Sequence, residues 1–240
     1  MFFKLALIGW LFACMGSVTG TNCIANDICI CRLENSSYVF KTLLDYNWTP
    51  ENVAIFYNIF NVTPSNNLAN LIYKIDCQNM SFKEIPRFKR LGYSNQPDSA
   101  CLDLRFNMIT EIKISQFVGL LINCIDLGFN RIHETNMNSL NGLVNIVSVL
   151  KLNDNQFNYD NAFTNMFLSK LKRLRALFLG TNKITTIFEN SFSFSFRPTL
   201  EIFDLKNNQI TYIANKAFSG FTSLSHLNLC NNLLGTYLII

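Results

Sequence analysis

Two histidines and eight cysteines are the side chains of this sequence best suited to catalysis, redox chemistry or metal binding. His133 and His226 lie far apart along the chain, and no catalytic motif surrounds either of them. The sequence also lacks a G-x-S-x-G nucleophile motif, an H-E-x-x-H zinc motif and a glycine-rich phosphate loop. We therefore expect no enzymatic activity, no cofactor and no bound metal.

The cysteines near the amino terminus have a spacing that argues against a metal site. Cys23, Cys29, Cys31 and Cys77 follow the order C-x5-C-x-C-x45-C. This order has neither the paired C-x2-4-C spacing of a zinc site nor nearby histidine ligands. Disulfides persist in oxidising compartments outside the cytosol. This cysteine usage therefore agrees with a secreted protein.

The elements that position these side chains follow from one pattern, apolar-x-x-apolar-x-apolar-x-x-Asn, which occurs six times between Ser99 and Asn232. Successive asparagines are separated by 23, 25, 27, 26 and 24 residues. We number the positions of each repeat from its asparagine, so that position −3 is always leucine and position −5 is always apolar. The asparagines are Asn107, Asn130, Asn155, Asn182, Asn208 and Asn232.

The alternation of apolar and mostly polar residues at positions −5 to −3 predicts a short strand that points two apolar side chains into a core. The asparagine amide would bond to backbone groups that a turn leaves unpaired, as a ladder through successive coils. One repeat cannot bury this much apolar surface alone, so the repeats must stack. The pattern resembles the leucine-rich repeat in its extracellular form of about 24 residues. We expect an α/β solenoid, the leucine-rich-repeat horseshoe, with a parallel concave sheet and an irregular or short-helical convex side.

The repeats predict a solenoid over residues 99–240, with about six repeats of which the last is incomplete. Residues 1–20 combine Lys4, an apolar run from Leu5 to Met15 and small residues up to Gly20, which is typical of a secretory signal peptide. No second apolar stretch reaches the length that spans a bilayer, and a net charge of +4 is too small to argue for nucleic acid. We expect a secreted or extracellular chain, or the ectodomain of a membrane receptor cut short at Ile240.

Residues 21–98 resemble the cysteine-rich N-terminal cap of secreted leucine-rich-repeat proteins and receptor ectodomains. The resemblance implies disulfides Cys23–Cys31 and Cys29–Cys77, because in this cap the first cysteine pairs with the third and the second with the fourth. The stretch between Cys31 and Cys77 is longer than such caps usually carry, which indicates an insertion or a degenerate coil. Four glycosylation sequons lie in the same region, at Asn35, Asn47, Asn61 and Asn79.

Three further cysteines lie within the repeats. Cys101 and Cys124 share position −6 in consecutive repeats. Neighbouring strands lie about 4.8 Å apart, which is within the Cα separation that a disulfide tolerates. The two residues are therefore candidates for a bond between coils. Cys230 is then the odd cysteine, which indicates an intermolecular bond, a free thiol or a partner further along a longer chain.

Residues that flank the inward leucines point to the concave face, and large aromatics beside arginine are typical of binding hot spots. We predict that Phe178 is exposed there, whereas Phe106 and Phe129 either join it or fold under the adjacent loop as core. The aspartates at position −4 are ordinary for this repeat family, so we interpret them as structural. The predicted contacts for a protein ligand are Arg105, Phe106, Phe129, Lys151, Phe178 and Lys206.

The resemblance implies a recognition module that binds a protein ligand in receptor signalling, adhesion or innate immunity. The resemblance extends from Cys23 to Ile240 and is to extracellular leucine-rich-repeat proteins such as Toll-like receptor ectodomains, slit-like proteins and small leucine-rich proteoglycans. Two alternatives stay open, namely a structural matrix component and a non-catalytic partner subunit of a secreted enzyme. Basic clusters at Lys83–Arg90 and Lys170–Arg175 could bind a sulfated glycan, although such clusters are more often solvated surface. A chain that ends at Ile240 would predict a dimer or a bound partner, because its end carries no cap.

Overall fold

The computed structural model describes residues 30–35, 71–86, 100–118, 120, 122–136, 138–158, 168–189, 191–192 and 195–235. Their dominant feature is an eight-stranded sheet with the order β1-β2-β3-β5-β7-β8-β10-β12. β1 and β2 are antiparallel, and every other neighbouring pair in this sheet is parallel. The strands of this sheet are β1 Ile30–Asn35, β2 Leu71–Asp76, β3 Ala100–Asp103, β5 Cys124–Asp126, β7 Val149–Lys151, β8 Ala176–Phe178, β10 Ile202–Asp204 and β12 His226–Asn228.

The chain between these strands returns through short and mostly irregular segments. Positions +4 and +5 form two parallel pairs, β4 Glu111–Ile112 with β6 Glu134–Thr135, and β9 Thr186–Ile187 with β11 Tyr212–Ile213. Within the described ranges, the only helix is a 3₁₀ turn at Asn141–Leu143. None of the helical structure in these ranges has the length and apolar character needed to cross a membrane. The predicted solenoid, with its parallel sheet and irregular convex side, is confirmed.

The core lies between the sheet and the returning segments. In the first five repeats, the side chains at positions −5, −3 and +2 are fully buried. Fully burying an apolar side chain of this size contributes about 1.5–3 kcal/mol, so these fifteen side chains supply a large part of the burial that stabilises the core. Examples from the first repeat are Leu102, Leu104 and Ile109.

The repeated asparagines form the predicted ladder. In Asn130, Nδ2 donates to the carbonyl oxygens of Leu104, Leu127 and Gly128 at 3.0, 3.1 and 3.1 Å, and Oδ1 accepts the Ile109 N–H at 3.1 Å. Each amide therefore joins its own turn to the turn of the preceding coil. The other members with this arrangement are Asn107, Asn155, Asn182, Asn208 and Asn232.

The segment just before the first repeat folds as one more coil. β2 pairs with β3 in the same register as the repeats, so that Ile75 lies beside Leu102. Met80 occupies the position of the repeat asparagine, and its N–H and that of Phe82 both donate to Asn107 Oδ1 at 3.0 Å. The coil that ends near Ile85 is thus a repeat without its own asparagine.

Candidate functional site

The turn that follows each concave strand places position −1 in the left-handed region of backbone conformation. The φ angles there lie between 52° and 56° in the coil before the first repeat and in all six repeats. This conformation costs an L-residue roughly 1–2 kcal/mol, with asparagine and aspartate the least disfavoured. We call these residues the left-handed row, which consists of Asn79, Phe106, Phe129, Asp154, Thr181, Asn207 and Asn231.

Two adjacent members of this row are phenylalanines, which the conformation does not favour. The rings of Phe106 and Phe129 stack with centroids 4.5 Å apart and an interplanar angle of 17°. Phe106 remains 48% exposed, and Phe129 is half-buried. Phe106 is therefore a surface residue and not part of the core. We call these two rings the aromatic patch.

A chain of ionic contacts runs along the concave sheet beside the aromatic patch. The Arg105 guanidinium lies 5.9 Å from the Phe106 centroid, and its Nη2 donates to Asp103 Oδ2 at 2.7 Å. Its Nε lies 3.6 Å from Asp126 Oδ2, which also accepts a hydrogen bond from Lys151 Nζ at 3.1 Å. The predicted cations at Arg105 and Lys151 are thus compensated within the protein.

The prediction that Phe178 is exposed is wrong. Phe178 is only 3% exposed and Lys151 only 6%, although both lie in concave strands. Their coils are adjacent, and the Lys151 ammonium lies 6.0 Å from the Phe178 centroid. Strands about 4.8 Å apart leave little space between outward side chains of this size, so each covers part of the next. Neither residue presents a free surface to a ligand.

Lys206, the last predicted contact, is half-buried and lies two residues after β10. Its Nζ lies 3.6 Å from Asp204 Oδ2, and its stem crosses Gly180, where an added Cβ would lie 3.2 Å from Lys206 Cγ. The structure thus brings together Arg105, Phe106 and Phe129, and it does not join Lys206 to them.

The aspartates at position −4 have a common structural contact. Asp103, Asp126 and Asp204 each accept the backbone N–H two residues later at 3.0–3.1 Å. Asn228 does the same for the Cys230 N–H at 3.1 Å. Such local acceptors stabilise the turn that starts the left-handed row.

The Asp204 carboxyl lacks the guanidinium that Asp103 has. Burial raises the pKa of Asp204 above its ordinary value, while the hydrogen bond and charge of Lys206 oppose this only in part. The folded protein therefore binds a proton at Asp204 more tightly than the unfolded chain does. The contribution of this group to stability consequently grows as the pH falls through the raised pKa.

We expect Asp204→Asn to raise the Tm at pH 7 by about 2–4 °C, the effect of roughly 1 kcal/mol in a chain of this size. The amide keeps the acceptor for the Lys206 N–H and removes a buried charge. Asp103→Asn is the matched control and should lower the Tm, because it weakens the Arg105 pair. Thermal scans from pH 7 to pH 4 should show the gain of Asp204→Asn shrinking with acidity. A lower Tm for both variants would contradict the conclusion that the buried charge of Asp204 destabilises the fold at pH 7.

The cysteines that the structure describes fall into four situations. Cys101 and Cys124 form a disulfide across β3 and β5, with a Cα separation of 4.4 Å. Cys77 is fully buried and disulfide-bonded, whereas the predicted positions Cys23 and Cys29 lie outside the described residues. Only the backbone of Cys31 is described, as part of β1. Cys230 has an exposed free thiol.

The basic cluster Lys170–Arg175 is partly engaged within the protein. Lys170 Nζ donates to the side-chain oxygens of Asn138 and Asn141 at 2.8 and 3.0 Å. Arg175 pairs with Glu201 at 2.6 Å. This reduces the charge available to a sulfated glycan. In the cluster Lys83–Arg90, residues 87–90 lie outside the described residues.

Among the sequons, Asn79 is exposed and belongs to the left-handed row. Asn47 and Asn61 lie outside the described residues, and only the backbone of Asn35 is described. Sequence reasoning did not find that Asn79 is the neighbour of Phe106, although extending the repeat register upstream by one coil would have shown it. It also missed the exposed contact between Phe188 and Tyr212, whose centroids lie 6.0 Å apart.

Comparison with known proteins agrees with the repeat. The family described as leucine rich repeat matches residues 192–234, and no curated protein sequence matches the chain. A structure containing FLRT2 (LRR) with Latrophilin 3 and Unc5D has a TM-score of 0.52 at 20% identity, covering 67% of this chain and 52% of that chain.

Two further solved structures are similar at lower TM-scores. A TLR13–ssRNA13 complex has a TM-score of 0.47 at 25% identity, covering 58% of this chain and 19% of that chain. Human 5T4 (trophoblast glycoprotein) has a TM-score of 0.37 at 18% identity, covering 67% and 77%. This chain thus spans about half the length of the matched chain in the FLRT2 structure and about a fifth of that in the TLR13 structure. The six repeats, the asparagine ladder and the family match show that this chain carries a leucine-rich-repeat solenoid.

Proposed function

We propose that this chain is the recognition module of a secreted or cell-surface protein and that it binds a protein ligand through the aromatic patch. One observation carries this proposal. Phe106 and Phe129 occupy left-handed positions that the other coils give to asparagine, aspartate or threonine. They remain stacked at the surface instead of entering the core.

The strain and the exposure of these rings point in the same direction. Residues held in sparsely populated backbone regions cluster at functional sites, and they persist only where the surrounding structure enforces the strained conformation. Exposed aromatics with a neighbouring arginine are the side chains that dominate protein interfaces. Arg105 is held in place by Asp103, so a ligand would meet a preorganised patch. The ligand site therefore lies at the edge of the concave sheet, where β3 and β5 end.

Other features support recognition outside the cytosol. The bond between Cys101 and Cys124 and the disulfide at Cys77 suit an oxidising compartment. FLRT2, whose likeness to this chain is one of fold, is found in an octameric complex with Latrophilin 3 and Unc5D. A similar solenoid in that protein thus takes part in a protein assembly.

The test replaces Phe106 and Phe129 together by asparagine, the residue of Asn79, Asn207 and Asn231 in the same row. We expect the double variant to fold with an unchanged or higher Tm, because asparagine suits the left-handed conformation. Its affinity for intact cells should fall at least about tenfold, which corresponds to the loss of about 1.4 kcal/mol. The measurement is saturation binding of the labelled secreted chain to a panel of cell lines, with and without trypsin treatment of the cells.

Phe188→Asn is the matched control, because Phe188 is 45% exposed but lies in the returning segment after β9. It should leave cell binding unchanged. Equal binding by the double variant and the wild type would overturn the assignment to the aromatic patch. Binding that survives removal of surface proteins by trypsin would overturn the proposal that the ligand is a protein.

A further inference from the structure

The coil before the first repeat places a sequon beside the aromatic patch. Asn79 has a φ of 55°, against 56° for Phe106 and 53° for Phe129. Its N–H donates to the Arg105 carbonyl at 3.0 Å, just as the Phe129 N–H donates to the Asn153 carbonyl at 3.1 Å. Asn79 and Phe106 thus share the backbone angle φ and occupy the same position in adjacent coils.

Phe129 covers one face of the Phe106 ring, and Asn79 is the next residue of the left-handed row on the other side of Phe106. Phe129, in the following coil, stacks on the ring at 4.5 Å. Asn79 lies in the preceding coil, on the opposite side, and is itself exposed. An asparagine is too short to cover an aromatic face, which agrees with the 48% exposure of Phe106.

We propose that Asn79 carries an N-linked glycan whose first N-acetylglucosamine packs on this open face of Phe106. Asn79, Met80 and Ser81 form an N-x-S sequon. A pyranose ring presents several C–H groups on one face, and these suit the negative face of an aromatic ring. The inference depends on the proposed passage through the secretory pathway, where the modification takes place.

The modification itself is an ordinary glycosyl transfer from a lipid-linked pyrophosphate donor. A bond forms between Nδ2 of Asn79 and the anomeric carbon of the first sugar. The bond between that carbon and the pyrophosphate oxygen breaks, Nδ2 loses one proton, and the lipid pyrophosphate leaves with the electron pair. The attached sugar then lies next to Phe106, because Asn79 and Phe106 occupy the same position in adjacent coils.

A sugar in this place would also regulate the proposed ligand site. It would occupy the face of Phe106 that a protein ligand needs, so the glycan and the ligand would compete. The chain without this glycan should therefore bind cells more tightly than the glycosylated chain.

The experiment expresses the full chain in mammalian secretory cells and maps occupancy of Asn35, Asn47, Asn61 and Asn79 by glycopeptide mass spectrometry. Ser81→Ala then removes the sequon without changing Asn79. We expect Asn79 to be occupied, and we expect Ser81→Ala to lower the Tm by about 2–4 °C. In a Phe106→Asn background the same change should have almost no effect, because the packing surface is already missing.

Removal of the sequon at Asn61 is the matched control and should change the Tm equally in both backgrounds. A Tm loss from Ser81→Ala that is the same with and without Phe106 would overturn the packing. Glycans at other sequons with Asn79 unmodified would overturn this inference and leave secretion intact. A secreted chain without glycan at any of the four sequons would likewise overturn this inference. A chain that stays in the cells and never enters the medium would overturn the secretory route, and with it the proposed function.

Discussion

Replacing Asn182 by alanine is expected to lower the free energy of unfolding by about 4 kcal/mol, among the largest effects of a single substitution. Asn182 Nδ2 donates to the carbonyl oxygens of Leu152, Leu179 and Gly180 at 3.0, 3.0 and 3.1 Å. Its Oδ1 accepts the Phe157 N–H at 2.9 Å. Alanine leaves these backbone groups without the amide, and each buried polar group left unpaired costs about 1–3 kcal/mol.

The expected loss is smaller than the sum of four such penalties because neighbouring groups relax and water reaches the widened turn. Urea denaturation followed by circular dichroism measures the change in free energy. Asn145→Ala is the matched control, since Asn145 is exposed in a turn, and it should change stability by less than about 0.5 kcal/mol. A loss below about 1 kcal/mol for Asn182→Ala would mean that the ladder is not the main support of the turns.

Replacing Phe203 by alanine is expected to cost about 3–5 kcal/mol, because it opens a cavity in the aromatic part of the core. Phe203 is fully buried in β10. Its ring lies 5.1 Å from that of Phe192 in an edge-to-face contact, and 6.2 and 6.4 Å from those of Phe221 and Phe218. These three rings come from the returning segments before and after the strand. Removing the Phe203 ring would therefore loosen two coils at once.

Phe203→Leu is the informative comparison for this prediction. Leucine fills position −5 in four of the other repeats, so it suits the backbone and should cost much less than alanine. Thermal and urea unfolding of the two variants separate the loss of volume from any disturbance of the strand. Equal destabilisation by leucine and alanine would show that the aromatic contacts, rather than the filled volume, stabilise this part of the solenoid.

The repeat period was sufficient to predict the solenoid, and the reason is physical. Each coil uses the same short strand, the same buried leucine and the same asparagine amide, so a local pattern repeated six times specifies how the coils stack. The coil that contains Met80 shows the limit of this reasoning. It lacks the asparagine by which the other repeats are aligned, and its pairing with β3 places it in the same sheet.

The candidate site could be predicted only in part. The sequence placed Arg105, Phe106 and Phe129 at neighbouring positions, and the structure brings them together. It did not distinguish exposed Phe106, in the turn at position −1, from buried Phe178, in the strand at position −4, because both positions flank the inward leucine and were expected to face the concave side. The difference arises from which side chains the adjacent coils place beside each ring.

The sequence alone therefore determined the repeat unit, the inward residues and the ladder, since all of these depend on contacts that recur at a constant separation along the chain. Tertiary structure alone decided which outward side chains are accessible, and that Arg105 and Lys151 from two other coils meet at Asp126. These properties depend on pairs of residues in different coils. A spacing rule does not encode such pairs, because the side chains that meet there differ from coil to coil.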